Sequence, residues 1–338
     1  MADKVLVTGV SGFIAKHAAL QLLNKGYEVR GTIRALSKAI QVKKSLEEAG
    51  ADIDRLSFVA ADLSSDEGWE EAAQDCDGVL HIASPFPTSQ PRDRYALVPA
   101  ARDGALRVLE AAKKAGHIVM TSSMVAMMYR PDRPPVMPVT EDDWTDEDWR
   151  PVTPYAVSKT AAEQAAWDAA VIGGFKHRLT TVNPGLVLGP PLDDDVGASL
   201  DLIKLMMKGA YPALPKASYP IVDVRDVAAL HLAALETPET GGRRLIASAD
   251  TLSLKDIAAI LRDKFPDYAK KIPSASLPDW LLRVMANVDR NIASVLPDLG
   301  VEPKAQTDYV TDLTGVTFRP ARDAVIDAGG TLARLKAI

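Results

Sequence analysis

The sequence predicts an α/β protein with a doubly wound parallel sheet and a smaller, mostly helical C-terminal domain. Three observations support this prediction. A buried strand, a glycine turn and a helix follow one another directly within residues 4–26. Short β-branched runs and helical patterns then alternate up to residue 182, as in parallel sheets with crossover helices. After residue 190 the pattern changes to helices separated by proline-rich loops.

Composition excludes several classes of function. The 338 residues can form one large domain or two modest ones. Acids exceed bases by 45 to 39 without any basic block, so we expect neither nucleic acid nor a membrane surface as a partner. Cys76 is the single cysteine, which suits a reducing compartment. With no long apolar run and a strand beginning by residue 4, we expect a cytoplasmic protein.

The first βα unit has the pattern of a phosphate-binding turn. The apolar, β-branched run at 5–7 predicts a buried strand, and a helix is predicted over 13–25. Gly9 would permit the sharp turn between them, and Gly12 would leave room for a pyrophosphate. Ala15 would let the helix pack closely on the sheet, and the helix N-terminus would attract phosphate. This predicts a dinucleotide-binding βαβ unit; the alternative is an ordinary turn.

The end of the second predicted strand, 28–33, bears on the choice of cofactor. A carboxylate there would bind both hydroxyls of an adenosine ribose and favour NAD. Instead the sequence has Arg34, with Lys38 four residues later. These cations would bind a 2′-phosphate, so we predict NADPH. The alternative is a solvated helix start.

The third unit has a helix predicted over 38–49 and a strand over 56–60. Asp62 and Leu63 follow that strand, where an adenine could lie. Asp62 could accept a hydrogen bond from the adenine amino group, or it could cap the next helix, predicted from residue 64 or 65 to residue 73. Both interpretations stay open.

The fourth predicted strand, 78–85, runs into a loop of small residues. Ala83 and its neighbours would let the backbone approach a cofactor. His81 lies inside the apolar run, which is typical of a satisfied core histidine.

A long helix is predicted over 94–115 and a fifth strand over 117–121. Ser122 and Ser123 lie at the carboxyl end of that strand, where parallel sheets bind ligands. Residues 130–152 contain prolines and acids and are predicted to form a loop that could close over a site.

The helix predicted over 155–171 carries a Tyr-x-x-x-Lys spacing. Tyr155 and Lys159 share one helix face because they are four residues apart. A buried phenol beside an ammonium would have a lowered pKa, which makes Tyr155 a candidate proton donor to a carbonyl oxygen. Lys159 could also bind ribose hydroxyls, and Ser123 could polarise the same carbonyl. The alternative is an exposed Tyr and Lys on a helix. No metal site is predicted.

The sixth strand is predicted over 179–182, and residues 183–191 are predicted to form a rigid turn that could hold a nicotinamide amide. Beyond this turn the predicted elements belong to two different domains. Helices are predicted around 196–208, 253–264 and 277–295. A strand and helix over 219–235 and a strand over 243–247 are also predicted. We assign residues 1–190, with 219–247 returning, to the dinucleotide-binding domain, and residues 191–218 and 248–338 to a substrate-binding cap.

Four motifs together resemble those of the extended short-chain dehydrogenase/reductase family. They are Thr8-Gly9-x-x-Gly12-x-x-Ala15, Ser122-Ser123, Tyr155-x-x-x-Lys159 and Asn183-Pro184-x-x-Val187-x-Gly189-Pro190. Ala15, the Arg34/Lys38 pair and His81-x-Ala83-Ser84-Pro85 look like the branch of dihydroflavonol reductases, cinnamoyl-CoA reductases and yeast-type aldehyde/ketone reductases.

The resemblance implies a Rossmann fold and NADPH-dependent reduction of a ketone or aldehyde to an alcohol. Ser123, Tyr155 and Lys159 would be catalytic, with Ser123 rather than Ser122 facing substrate. Whether the protein is a monomer or a homodimer stays open, and the resemblance implies a homodimer through the helices at 94–115 and 153–171. The predicted cofactor-binding residues are Gly9, Gly12, Phe13, Ile14, Ala15, Arg34, Lys38, Asp62, Leu63, Ala83, Pro184 and Val187.

No motif in residues 190–338 identifies the substrate. Apolar residues near the predicted site suggest an apolar or aromatic group: Pro85, Phe86, Met127, Met128 and Tyr129. The alternative is that these residues are ordinary core.

Two other functions remain open. One is an NAD-dependent nucleotide-sugar epimerase or dehydratase of the same family, against which the basic end of the second strand counts. The other is a dinucleotide-binding protein without turnover, which would not need the Ser-Tyr-Lys set.

Overall fold

The computed structural model describes residues 4–85, 91–194 and 197–338. Its strands are β1 (Lys4–Val7), β2 (Glu28–Ile33), β3 (Leu56–Ala60), β4 (Gly78–His81), β5 (His117–Thr121), β6 (Val136–Val139), β7 (Leu179–Pro184), β8 (Leu186–Leu188), β9 (Ser218–Asp223), β10 (Arg244–Ala247), β11 (Asp250–Ser253) and β12 (Glu302–Ala305). Its helices are α1 (Phe13–Asn24), α2 (Ala39–Glu48), α3 (Trp69–Ala73), α4 (Val98–Ala112), α5 (Pro154–Ile172), α6 (Asp201–Lys208), α7 (Val224–Glu236), α8 (Leu254–Lys264), α9 (Asp279–Met285), α10 (Arg290–Ala293), α11 (Asp308–Thr314) and α12 (Ala321–Arg334).

Seven of the described strands form a parallel sheet in the order β10-β7-β5-β4-β1-β2-β3. The chain therefore winds outward from β1 to β3 and then crosses to β4 on the other side. This confirms the predicted doubly wound fold. The order reverses between β1 and β4, so a crevice opens at the carboxyl ends of these two strands, where such sheets bind ligands.

Helices cover both faces of the sheet. Helices α1 and α7 pack against each other on one face, and α4 and α5 pack against each other on the opposite face. Val5, Leu6 and Val7 of β1 are at most 1% exposed. A strand buried on both faces has no polar alternation, which is why β1 is a continuous apolar run.

The remaining strands form two small sheets. β9 lies between β8 and β11 in one of them, and β6 pairs with β12 in the other. Residues 219–247 thus divide between two places, because β9 joins a small sheet whereas α7 and β10 pack on and within the central sheet. Helix α12 packs on α6 and α8.

Several predicted elements differ from the structure. Residues 130–152 contain β6 within the expected loop, and residues 183–191 contain β8 within the expected turn. Both strands pair with distant parts of the chain, so local sequence did not reveal them. Helix α4 begins at Val98 rather than near residue 94, with Pro99 in its first turn, where a missing N–H costs no hydrogen bond.

The predicted helix over 277–295 is two short helices, α9 and α10, and the helix predicted from 64 or 65 begins only at Trp69. No helix in the described portion of the chain has the length and apolarity needed to cross a membrane.

Candidate active site

The carboxyl ends of β1 and β4 are joined through Thr8. Its hydroxyl oxygen accepts from the backbone N–H groups of Ile82 at 3.0 Å and Ala83 at 2.9 Å. The hydroxyl hydrogen is therefore directed to Nδ1 of His81, 2.9 Å away, which makes His81 the Nε2-protonated tautomer. Burial lowers the pKa of His81 to about 3. His81 is a neutral, hydrogen-bonded core residue that fixes the crevice.

The turn between β1 and α1 is a cradle that a side chain would fill. Gly9 has a φ of +64°, and a Cβ there would lie 2.9 Å from the Cβ of Ala83. Gly12 is the N-cap residue of α1, and no side chain caps that helix. Ala15 is wholly buried in the first turn of α1. The first N–H groups of the helix and its positive end therefore face the crevice, an arrangement that fits a pyrophosphate.

Two exposed cations follow β2. Arg34 and Lys38 are exposed, and neither forms a salt bridge in the described part of the chain. The charge of Arg34 contributes to the lowered pKa of Asp62, after the larger effect of hydrogen bonds from Ser64. Arg34 and Asp62 therefore lie near each other at the carboxyl ends of neighbouring strands.

The structure excludes the interpretation that Asp62 caps the next helix. Oδ1 of Asp62 accepts from the backbone N of Ser64 at 2.8 Å and from its Oγ at 2.7 Å, which closes a turn. Helix α3 begins at Trp69 with Gly68 as its N-cap residue, so Asp62 does not cap that helix. The neighbouring Leu63 packs against α4, since a Cβ on Gly104 would lie 2.9 Å from Leu63 Cβ.

Three predicted catalytic side chains converge at the end of β5. Thr153 is the N-cap residue of α5, and its hydroxyl accepts from the backbone N of Ala156 at 3.2 Å. This places Tyr155 and Lys159 on one face of the helix. The hydroxyls of Ser123 and Tyr155 are hydrogen-bonded, and Nζ of Lys159 lies 3.5 Å from the carbonyl oxygen of Thr121.

The expectation that the pKa of Tyr155 is lowered is wrong. Burial raises the pKa of Tyr155 above its ordinary value, and the hydrogen bond with Ser123 only partly opposes this. The charge of Lys159 does not oppose this effect, and burial lowers the pKa of Lys159 itself to about 8. Tyr155 is therefore a protonated donor at neutral pH, as proton transfer to an oxygen requires.

A buried polar network lies beneath these side chains. Glu163 is wholly buried and accepts from Ser122 Oγ at 2.5 Å and from Asn183 Nδ2 at 2.8 Å. Asn183 Nδ2 is also 3.3 Å from the carbonyl oxygen of Ser123. Nε of Arg244 donates to Glu163 at 2.7 Å. Ser122 is thus a hydrogen-bonded member of the network, while Ser123 faces Tyr155.

The electrostatics of this network favour an ionised Glu163. Burial alone would raise the pKa of Glu163, but the Arg244 guanidinium and the hydrogen-bond donors outweigh it and lower that pKa. Sequence reasoning did not identify Glu163 or Arg244. The available signal was spacing, since Glu163 follows Lys159 by four residues on the same helix face.

The loop after β8 is fixed beside the phosphate cradle. Lys16, which is 2% exposed, forms an ion pair with Asp193. Asp193 Oδ2 also accepts from Ser45 Oγ at 2.7 Å, and His17 Nε2 donates to the carbonyl oxygen of Pro190 at 2.9 Å. These contacts hold the loop on α1 and α2. The sequence did not predict them.

The remaining predicted cofactor residues line this region or its support. Pro184 ends β7, and its carbonyl oxygen lies 3.5 Å from Ser123 Oγ. Val187 is nearly buried in β8, Phe13 is nearly buried and Ile14 is half-buried at the start of α1. Across residues 4–85, 91–194 and 197–338 there is no group of three or more His, Cys, Asp or Glu side chains that could hold a metal ion.

Three of the residues predicted to line the substrate site are buried. Met127 is 0% exposed and Met128 and Tyr129 are at most 5% exposed, within a core cluster between β6 and α5. They pack in one cluster with Met137 and Val157, which favours the core interpretation that the sequence left open. Pro85 is half-buried at the edge of the crevice. Phe86 lies outside the described residues.

Tyr129 instead anchors the C-terminal segment. Its hydroxyl donates to Asp298 Oδ1 at 2.9 Å, and Tyr219 donates to Oδ2 at 3.1 Å. The guanidinium of Arg133 lies 5.2 Å from the Tyr129 ring. Burial raises the pKa of Asp298 to about 6.

Comparisons with known proteins agree with this geometry. A family model described as the NAD dependent epimerase/dehydratase family matches residues 5–247. Cinnamoyl-CoA reductase 1 of Petunia hybrida is 38% identical over 313 residues, which cover 91% of this chain and 90% of that protein. Tetraketide alpha-pyrone reductase 1 of Arabidopsis thaliana is 34% identical over 271 residues, covering 78% and 81% of the two chains.

Among solved structures, yeast methylglyoxal/isovaleraldehyde reductase Gre2 complexed with NADPH matches with a TM-score of 0.81 and 26% identity, covering 99% of both chains. The predicted catalytic residues and glycine turn all lie within the segment that the family model matches.

Proposed function

This chain belongs to the NAD dependent epimerase/dehydratase family, of the extended short-chain dehydrogenase/reductase type, and we propose that it is an NADPH-dependent carbonyl reductase. Its relatives named above are reductases, and the chain is an NAD(P)-dependent oxidoreductase. The reaction we propose converts a ketone or aldehyde into an alcohol. The observation that carries the proposal is the convergence of Ser123, Tyr155 and Lys159 at the end of β5.

The cofactor assignment follows from two features of the chain. The glycine cradle before α1 would hold the pyrophosphate, with Gly9 and Gly12 leaving the space that it needs. Arg34 and Lys38 would bind a 2′-phosphate, because both are exposed and form no salt bridge with the described residues. The yeast structure described as an NADPH complex supports this assignment.

The three catalytic side chains would have different roles. The bound cofactor supplies a hydride from C4 of its nicotinamide. Tyr155 would give its phenolic proton to the carbonyl oxygen, while Ser123 would donate a hydrogen bond to the same oxygen. Donors fixed in advance at the oxygen where negative charge develops contribute most to the rate. Lys159 would place a positive charge beside them and bind ribose hydroxyls.

The buried network would keep these groups in place. Glu163 anchors Ser122 on one side of Ser123, and Asn183 holds the carbonyl oxygen of Ser123 itself. Because the network joins α5 to β5, β7 and β10, it would fix Tyr155 relative to Ser123. Residues 191–218 and 248–338 would form the substrate-binding cap.

The proposal is tested by oxidation of NADPH and NADH over a panel of aliphatic aldehydes, aryl aldehydes and α-dicarbonyl compounds. We expect turnover that is selective for NADPH and yields the alcohol. Tight cofactor binding without turnover of any carbonyl would contradict it. NAD retained through purification, with turnover of a nucleotide sugar, would establish the epimerase alternative.

A further inference from the structure

A cavity lies next to the start of the catalytic helix α5. Its volume is about 600 Å³, and its described wall comes from three segments: Pro91, Arg92 and Arg94; residues 150–154; and Ala286, Asn287, Val288, Arg290, Ala293 and Ser294. The first two segments are loop residues except for Pro154, which begins α5, and the third contains the break after α9 and residues of α10. This volume is within the range of sites that bind small molecules.

The wall of this cavity is strongly cationic. Its described charged residues are four arginines, Arg92, Arg94, Arg150 and Arg290, and none of its described residues is acidic. The chain as a whole has a net charge of −6, so the charge of this cluster is opposite in sign to the net charge of the protein. Asp93 and Asp289 adjoin these arginines in the chain, and the Glu147 carboxylate interacts with Arg94, but the wall itself presents only guanidinium groups as charges, which attract anions.

The guanidinium groups are largely unused within the protein. Arg92, Arg150 and Arg290 are exposed and form no salt bridge or side-chain hydrogen bond with any described residue. Arg94 donates through Nη2 to the carbonyl oxygens of Glu147 and Trp149, but its buried Nε has no hydrogen-bond partner among the described residues. These donors are therefore available to a ligand.

The cavity is close to the proposed chemistry. Thr153 and Pro154 are in its wall, and Tyr155 is the next residue of α5. Consecutive Cα atoms are about 3.8 Å apart, so the Cα atom of Tyr155 lies next to this wall, of which Tyr155 is not itself a described member. The positive N-terminal end of this 19-residue helix adds to the field of the arginines.

Resting on the proposed function, we propose that this cavity binds the phosphate group of the substrate while its carbonyl lies at Tyr155. The substrate class is therefore carbonyl compounds that carry a phosphate ester on a tail. Phosphate is favoured over carboxylate because four guanidinium groups exceed the charge of one carboxylate. The planar fork of arginine also binds phosphate oxygens in a bidentate manner.

The kinetic test compares three aryl aldehydes that differ in their para substituent: 4-formylphenyl phosphate, 4-carboxybenzaldehyde and 4-methoxybenzaldehyde. We expect kcat/KM for the phosphate to exceed that of the neutral aldehyde by about 10- to 100-fold, from the strength of charge-assisted hydrogen bonds, with the gain mainly in KM. In Arg150→Gln and Arg290→Gln, the ratio of phosphate to neutral aldehyde should fall about tenfold, whereas it should not change in Arg102→Gln. Arg102 is an exposed arginine on α4 that pairs with Asp103 outside the cavity.

Equal kcat/KM for the phosphate and neutral aldehydes would overturn the proposal. An equal gain for the carboxylate would overturn the assignment to phosphate. Calorimetric binding of 4-formylphenyl phosphate separates this inference from the reductase proposal, because it needs no turnover. Binding that is weakened in Arg150→Gln but not in Arg102→Gln supports the cavity even if no aldehyde is reduced. Binding that is unaffected by Arg150→Gln overturns it.

Discussion

Glu163 and Arg244 form a buried ion pair, with Nε of Arg244 2.7 Å from Oε1 of Glu163 and neither side chain more than 8% exposed. The pair connects α5, which carries Tyr155 and Lys159, to β10 at one edge of the central sheet. The Arg244 guanidinium also lies 3.7 Å from the centre of the Trp144 ring. The position of the catalytic helix therefore depends on a charge pair that water does not screen.

The first prediction concerns this pair. Arg244→Met should lower the free energy of unfolding by roughly 3–5 kcal/mol, because it leaves the Glu163 carboxylate buried without its partner. The adjacent Arg243 is a matched control, since it pairs with Glu141 and is 39% exposed. Arg243→Met should cost less than about 1 kcal/mol. Urea denaturation measures both, and equal losses would contradict the buried-pair interpretation.

The same pair sets a pH dependence. The folded-state pKa of Glu163 is lowered, so its contribution to stability is present above the ordinary carboxyl pKa and is lost as the pH falls. In Arg244→Met burial raises the pKa of Glu163 instead, so the difference in unfolding free energy between wild type and variant should shrink as the pH falls towards and below the ordinary carboxyl value of 4.5.

The second prediction concerns the proton donor. Tyr155→Phe should lower kcat by about 10²- to 10⁴-fold, the usual contribution of general acid catalysis, without weakening cofactor binding. Tyr268→Phe serves as a control because that phenol lies beside Lys271, outside the site. Steady-state kinetics and cofactor titration give both quantities. Retention of kcat in Tyr155→Phe would remove Tyr155 from the mechanism.

The third prediction concerns cofactor choice. The double variant Arg34→Gln with Lys38→Gln should lower kcat/KM for NADPH by about 10- to 100-fold, since it removes charge-assisted contacts to a 2′-phosphate. The value for NADH should change little, because NADH has no such phosphate. Lys44→Gln, at an exposed position of α2, should change neither value. A parallel loss with both cofactors would contradict the role of these cations.

The fourth prediction concerns Asp298, which Tyr129, Tyr219 and Arg133 surround. Burial raises its pKa from 3.8 to about 6 in the folded state. Its stabilising contribution is therefore fully present below pH 3.8 and is lost as the pH rises through about 6. The loss amounts to about 3 kcal/mol.

Asp298→Asn should abolish this component, so the unfolding free energy of wild type relative to Asp298→Asn should fall between pH 4 and pH 6.5. The exposed Asp263 is the control position. Chemical denaturation at both pH values measures the change, and a parallel pH profile in the two proteins would show that Asp298 does not titrate as described.

The elements that depend on local sequence patterns were predicted correctly, and those that depend on distant partners were not. The strand, turn and helix of residues 4–24 depend on apolar periodicity and on glycines at required positions, so they were predicted closely. Strands β6 and β8 were missed because each is stabilised by a partner far away in sequence. Pro138 within β6 further concealed the pattern.

The same difference between local and long-range features is found in the site. The spacing of Tyr155 and Lys159 on one helix face could be predicted from the sequence, and so could the place of Ser123 at the end of a strand. The raised pKa of Tyr155 could not, because it depends on burial by the rest of the chain. Met127 was assigned to the site although packing places it in the core.

Isotope transfer tests carbonyl reduction at its central step. The enzyme is supplied with NADPH carrying deuterium at both C4 positions and with the best aldehyde of the panel, and the alcohol is analysed by mass spectrometry. One deuterium should appear at the carbinol carbon for wild type, at a rate that falls about 10²- to 10⁴-fold in Tyr155→Phe. Alcohol without deuterium, or equal rates in the two proteins, would contradict reduction by hydride transfer with Tyr155 as the proton donor.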